Sequence, residues 1–377
     1  MKRLPIHIDG LIYAKQAHGG ISRNFTNLIN AFVERSDTDV NLYLDRGVEF
    51  PSGMASVHTR EIPGQVHLRP SRLFRGISDT WSNRRRRNKW ASAKSGVFHS
   101  SFYSSPEGLS IPQILSMHDT IFEDYPTLFN TDRHRQHLAD KKHAFDNCSA
   151  VVFPSEFARS RASTHYDLSG KRTRTIPHAL DAQFREIPSD QAIAEFRMRA
   201  TGGRPFLLHV GSRYLHKNVA RLIEAYAQWG QRDEIALLLA GGGPLDAEED
   251  RLIAALGVEN RVQVIPRLSD TDLVCAYHAA LAFVFPSLSE GFGFPILEAL
   301  ACACPTACAN AASLPEVGGE APVYFDPLRI ESIVAALDEV VASSGDNDRW
   351  NAARARTLRR TWSDVACEFA ELYSATS

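Results

Sequence analysis

The sequence predicts an α/β protein of two doubly wound, Rossmann-like domains facing a central cleft. Three observations carry that expectation. Apolar runs of strand length alternate with amphipathic helical runs almost throughout, glycine-bearing turns stand where strand-like runs pass into helical ones, and 377 residues exceed what one core usually serves. A hydrophobic fraction of 44% and a charged fraction of 23% belong to a soluble globular enzyme. Lys and Arg total 42 against 44 acidic residues, a balance that gives no global pull towards nucleic acid.

In the first half, strands are expected at Leu4–Ile8, Val40–Leu44, Gly96–His99, Gln113–Met117 and Ala150–Phe153. The first leads through His18-Gly-Gly20 into a helix beginning near Ile21, and paired glycines there allow a ligand to approach the backbone, although a plain turn explains them equally well. The fourth ends in His118-Asp119-Thr120, which puts a histidine at the carboxyl end of a parallel strand; a capped, buried histidine is the competing explanation.

The polar stretch from Asp181 to Arg204 marks the divide, giving domains over 1–190 and 191–355 with a terminal segment 356–377. Strands of the second half are expected at Phe206–Val210, Ile235–Leu239, Val262–Ile265, Leu281–Phe285 and Val323–Phe325. After Val210, Gly211-Ser-Arg-Tyr-Leu-His-Lys-Asn218 hangs Arg213 and Lys217 at a strand-to-helix turn, with Asn218 as the expected cap. Two cations beside a helix terminus suit a diphosphate, with ordinary surface charges as the competing explanation. Trp350 to Tyr373 reads as helical, with Trp362, Val365, Phe369 and Leu372 as its apolar stripe.

The densest signal is Ser289-Glu-Gly-Phe-Gly-Phe-Pro-Ile-Leu-Glu298, two carboxylates eight residues apart around a glycine-bearing turn that follows a buried strand. Carboxylates accept strong hydrogen bonds from vicinal hydroxyls, so the pair suits a sugar or ribose. Pro295 is expected to open a helix with Glu298 in its first turn, and an acidic first turn serving the helix dipole accounts for the same residues.

Six cysteines and no signal-peptide pattern predict reduced thiols in the cytoplasm. Cys302-Ala-Cys-Pro-Thr-Ala-Cys308 lacks a second ligand pair and is expected to pack rather than hold a metal. No apolar stretch reaches the ~18 residues of a membrane span. Arg84-Arg-Arg-Arg87, with Trp81 and Trp90, is a local candidate for peripheral contact with anionic lipid headgroups, or a solvated face.

These pieces together resemble the retaining, nucleotide-sugar-dependent glycosyltransferases of GT-B fold that carry the E-x7-E motif, the group 1 and family 4 enzymes. Glu290 to Glu298 supply the match, supported by Gly211 to Asn218, Gly241-Gly-Gly-Pro244 and Ser313-Leu-Pro-Glu-Val-Gly-Gly319. In the first half Gly19-Gly20, Phe98 to Phe102, His118-Asp119 and Phe153 to Glu156 support it more loosely. The resemblance implies that Glu290 orients the donor sugar, that Glu298 binds the ribose, and that Arg213 and Lys217 neutralise the diphosphate. It further implies that Gly20 lies near the phosphates, that His118 lies beside the transferred sugar, and that the backbone of Gly293 and Phe294 approaches that sugar.

By the same resemblance no cofactor or metal is required, the acceptor is a glycan or lipid-linked oligosaccharide of a cell-surface polysaccharide, and a terminal helix returns to the first domain. Gly19-Gly-Ile-Ser-Arg23 looks like the opening of bacterial mannosyltransferases, which makes GDP-mannose the first donor to test ahead of a UDP-sugar. Ala303-Cys304-Pro305 and His178-Ala-Leu-Asp181 depart from the family pattern and put local packing, not a proposed ligand, in question. An epimerase or phosphorylase of the same architecture, or a silent nucleotide-binding scaffold, would use the same pocket.

Overall fold

The computed structural model describes residues 3–16, 19–45, 48, 50, 54, 57–62, 93–106 and 108–377; His18 and the Arg84–Arg87 cluster with Trp81 and Trp90 lie outside them. The chain divides into two compact units, Met1–Ala179 with Thr361–Ser377 and Leu180–Arg360.

The first unit is a parallel sheet of β1 (Leu4–Ile8), β2 (Thr38–Asp45), β3 (His58–Ile62), β4 (Val97–Ser100), β5 (Gln113–Ser116), β6 (Ala150–Phe153) and β7 (Arg172–Thr175). Their order is β3-β2-β1-β4-β5-β6-β7, so the winding reverses between β1 and β4. Ile6 faces Val40 on one side and Val97 on the other, in register with a strand covered on both faces. The helix Gly20–Val33 lays Phe25, Leu28, Ile29 and Phe32 on the sheet at helical spacing. Val365, Phe369 and Tyr373 of the helix Trp362–Thr376 complete the same core. Burying each of these large side chains contributes roughly 1.5–3 kcal/mol.

In the second unit β8 (Phe206–Val210), β9 (Ala236–Ala240), β10 (Val262–Ile265), β11 (Ala282–Phe285), β12 (Thr306–Ala309) and β13 (Val323–Phe325) pair in parallel in the order β10-β9-β8-β11-β12-β13. Here the winding reverses between β8 and β11. Ligands of such sheets bind beyond the carboxyl ends of the strands at that reversal.

Both sheets contain strands that the apolar runs did not announce. β3 and β7 are the two edges of the first sheet, and an edge tolerates polar side chains, as His-Thr-Arg-Glu-Ile and Arg-Thr-Arg-Thr show. β12 is Thr-Ala-Cys-Ala, too small in its side chains to read as a strand but wholly buried. The expected boundary at 190 lies inside the second unit, where the helix Asp190–Thr201 buries Phe196 in that unit's core. The single helix read from Trp350 to Tyr373 is two: Asn347–Thr357 in the second unit, then Trp362–Thr376 in the first, begun by a reciprocal cap between Thr361 and Asp364.

Candidate active site

In the second unit the two loops at the reversal of the sheet meet. The loop after β8 passes through Gly211 and a 3-10 turn, Leu215–Lys217, while the loop after β11 carries Ser287 to Gly293. Leu288 N donates to the His216 carbonyl at 2.8 Å, tying one loop to the other. Lys217 Nζ then lies 2.5 Å from Glu290 Oε1, which also accepts from Ser287 Oγ at 2.5 Å. Both side chains keep some contact with solvent, 17% for Lys217 and 12% for Glu290. The Ser313 hydroxyl is 2.9 Å from the Glu290 carbonyl and 2.8 Å from that of Phe292, holding the carboxylate's backbone from below.

Gly293 turns the chain into the helix Phe294–Ala301 with φ 104°, and a Cβ there would lie 2.9 Å from Leu314 Cδ2, so only glycine passes without strain. Helix geometry corrects two expectations. Pro295 is the second residue of this helix, and Glu298 is its fifth, beyond the first turn. Glu298 is 6% exposed and accepts from Tyr277 Oη at 2.9 Å, so it is no dipole-serving surface acid. The two carboxylates are therefore unlike: Glu290 is a loop group paired with a cation, and Glu298 a buried group oriented by a tyrosine.

Arg213 and Lys217 also differ. The Arg213 side chain is 5% exposed; its Nε donates to Glu249 Oε1 at 2.7 Å, Nη1 to the Gly241 carbonyl at 2.8 Å, and Nη2 to the carbonyls of Gly243 and Pro244 at 3.1 and 2.6 Å. The expected pair of cations is thus one, on the loop after β8, paired with Glu290, and one stapled to the glycine turn after β9. Gly242 sits so close that a Cβ would lie 2.9 Å from Arg213 Nη1. Asn218 occupies the cap position with φ 58°, yet its amide donates to the carbonyls of Pro286 and Pro327 at 3.2 and 2.8 Å rather than capping the helix Val219–Gln228.

In the first unit His118 stands at the carboxyl end of β5, 8% exposed. Its backbone N–H donates to Tyr103 Oη at 3.3 Å, while its Nε2 is buried with no partner. Burial lowers its pKa to about 4, Asp119 opposing and Lys141 reinforcing the shift, so the ring is neutral near pH 7. Gly20 is the first residue of the helix Gly20–Val33, and the preceding Gly19 N–H donates to Ser22 Oγ at 3.0 Å. At the reversal between β1 and β4, Asp9 accepts from the backbone N–H of Ser101 at 2.9 Å and from the hydroxyls of Ser101 and Ser104. Burial pushes the pKa of this carboxyl up, against the hydrogen bonds it accepts from Ser101, Ser104 and Leu11.

Sequence reasoning named Lys217, Glu290, Glu298, Gly293 and Phe294, all on the reversal loops or the helix they start. It missed Ser287, Tyr277 and Glu249, and it quoted Ser313 only within the motif Ser313 to Gly319, without its role under the Glu290 loop. Ser287 stood three residues before Glu290; the others come from distant segments and left no local signal.

Two family models match the chain: Glycosyltransferase Family 4 over residues 18–184 and Glycosyl transferases group 1 over residues 190–357. The O-antigen chain mannosyltransferase B of Escherichia coli is 27% identical over 270 residues, covering 70% of this chain and 70% of that protein. Among solved structures, the sucrose-phosphate synthase of Thermosynechococcus elongatus superposes with a TM-score of 0.78 at 19% identity, covering 99% of each chain. Anabaena Alr3699/HepE in complex with UDP and glucose does so with a TM-score of 0.73 at 17% identity, covering 99% of this chain and all of that one.

Proposed function

We propose, on the premise that this chain belongs to the GT-B glycosyltransferases of group 1 and family 4, that it moves a hexosyl group from a nucleoside diphosphate sugar to a glycan acceptor in the assembly of a surface polysaccharide. The observation that carries this reading is the meeting of Lys217 and Glu290 at the reversal of the second sheet. Lys217 takes the diphosphate and Glu290 the donor's hydroxyls, so one ligand replaces an internal ion pair by two complementary contacts. Glu298, oriented by Tyr277, takes the ribose, and the backbone of Gly293 and Phe294 lines the sugar. Arg213 shapes the glycine turn beside them. Mannose from GDP-mannose is the first donor, a choice favoured by the mannosyltransferase relative.

Transfer breaks the bond between the anomeric carbon and the diphosphate oxygen and forms one to the acceptor oxygen. Negative charge grows on the departing diphosphate, where Lys217 stabilises the transition state more than the bound donor. The acceptor proton passes to the leaving phosphate, on the face where the new bond forms, which retains the anomeric configuration. Neutral His118 contributes an uncharged hydrogen-bonding nitrogen beside the transferred sugar, and Gly20 lets the helix Gly20–Val33 come close to the phosphates. The charge is met by protein groups, without a metal. Among the described residues no helix is long and apolar enough to cross a membrane.

Thermal stabilisation by GDP, UDP, dTDP and ADP, in the wild type and Lys217→Ala, tests the donor site, because a ligand that binds only the folded state raises its stability. A shift with one nucleotide that is lost in Lys217→Ala identifies the donor class. Absence of any shift overturns the reading.

A further inference from the structure

We propose that the rings of Phe102, Phe122, Phe129, His134 and His137 form the subsite on which the first unit holds its glycan acceptor. The inference rests on the glycosyltransferase reading and supplies that reaction with an acceptor surface.

All five residues stand at the carboxyl edge of the first sheet. Phe102 follows β4, Phe122 lies in the short helix Ile121–Asp124 after β5, and Phe129 lies in the connection beyond it. His134 and His137 occupy the first two turns of the helix Asp132–Asn147. Their rings form a continuous row: Phe122 is 4.7 Å from Phe129, 4.9 Å from His134 and 4.9 Å from His137 between centroids, and Phe102 is 5.5 Å from His137.

Core packing accounts for Phe102, which lies against two of the first unit's buried cores, but not for the rest of the row. Among the described residues, Phe122 and Phe129 pack against none of the buried cores. The helix Asp132–Asn147 buries only Lys141, Ala144 and Phe145, all beyond the turns that carry the two histidines. Each of the five residues is half-buried.

Interleaved phenyl and imidazole rings match one ligand chemistry well. A pyranose has an apolar C–H face that lies flat on an aromatic ring and a rim of hydroxyls that seeks donors and acceptors, which imidazole nitrogens provide. A lipid chain would have no use for the imidazoles.

The row also leads to the reaction. Tyr103, with its ring 5.1 Å from His137 and 6.3 Å from His118, joins the two. Its backbone sits at φ 53°, a conformation rarely adopted by an aromatic residue, and Lys141 Nζ lies 5.3 Å over its ring. Beside Tyr103, the row ends at the buried Nε2 of His118, which no protein group satisfies.

Titration calorimetry of the full chain with mannotriose, maltotriose and dodecyl phosphate tests the subsite in the wild type, Phe122→Leu/Phe129→Leu and His134→Ala. Leucine keeps apolar bulk but removes the flat face, and His134, half-buried in the first turn of its helix with Nδ1 3.1 Å from Thr131 Oγ1, is replaced by the best helix former. At least one trisaccharide is expected to bind the wild type and to lose about five- to tenfold in affinity in each variant that folds, the scale of one lost ring contact. Failure of both trisaccharides to bind, equal affinity in the variants, or binding of dodecyl phosphate alone overturns the proposal. GDP and UDP shifts run in parallel separate the two failures: a Lys217-dependent nucleotide shift without trisaccharide binding removes only the acceptor subsite, whereas loss of both removes the glycosyltransferase reading.

Discussion

Lys217 Nζ and Glu290 Oε1 stand 2.5 Å apart although 73 residues separate them, each carried by one of the two loops at the reversal of the second sheet. The pair is partly shielded from water, so removing one partner leaves the other charge poorly solvated.

Breaking this pair should affect nucleotide and nucleotide sugar in opposite directions. Glu290→Gln leaves Lys217 without its carboxylate, so free GDP or UDP is expected to bind as well as before or a few-fold more tightly. The nucleotide sugar loses its hydroxyl acceptor, and turnover is expected to fall on the order of a hundredfold. Calorimetry of the nucleotide beside initial-rate measurement checks both; a parallel loss of nucleotide affinity contradicts the exchange of partners.

Arg213→Ala should cost stability before it costs chemistry. The guanidinium holds three carbonyls of the Gly241–Pro244 turn and Glu249, and its loss strands a largely buried carboxylate. A destabilisation of about 3 kcal/mol is expected, or roughly 6–12 °C in Tm for a unit of this size. Glu249→Gln in the same background should recover part of it, measured as a coupling in a double-mutant cycle; additive losses would deny the staple.

Tyr277→Phe isolates the role of Glu298. The lost hydroxyl leaves a buried carboxylate oxygen short of its donor, at about 1–3 kcal/mol. If Glu298 binds the ribose, the variant should discriminate less between a nucleoside diphosphate and its 2′-deoxy analogue, by about tenfold. Unchanged discrimination beside a lowered Tm would make the Tyr277–Glu298 contact purely structural.

Stability should decline as pH falls from 6.5 towards 4. Burial lowers the pKa of His118 to about 4, of His209 to about 4 and of His99 to about 3, all from 6.5. Protonation therefore favours the unfolded chain: the contribution is complete above pH 6.5 and is lost as pH drops towards each folded pKa, at about 1.4 kcal/mol per unit of pH per histidine in that window. His99→Gln should shallow the slope of Tm against pH in this range. An unchanged slope would mean that His99 is not held neutral in the folded chain.

His99 also shows why some of the structure was illegible beforehand. Its ring contacts Tyr373 Oη at 2.6 Å and Ser116 Oγ at 2.8 Å, bonds that span 274 and 17 residues. Nothing near His99 in the chain announces either partner. By contrast β1, β6, β8, β10 and β13 coincide with the runs that predicted them, and β6, buried along its whole length, is the continuous apolar run that cover on both faces requires.

Local chemistry sufficed for the alternation of strands and helices, for the glycine turn at Gly293 and for placing Lys217, Glu290 and Glu298 on the turns after β8 and β11 and the helix that follows, since each depends on residues a few positions apart. The amino-acid sequence alone therefore determined the fold class and the loops that carry charge. Tertiary structure decided what the charges do: it paired Lys217 with Glu290, turned Arg213 onto a glycine loop, buried Glu298 against Tyr277 and placed the final helix in the first unit's core. The physical reason is that a side chain's partner is set by the order and register of strands far apart in the chain, while its backbone conformation is set by its neighbours.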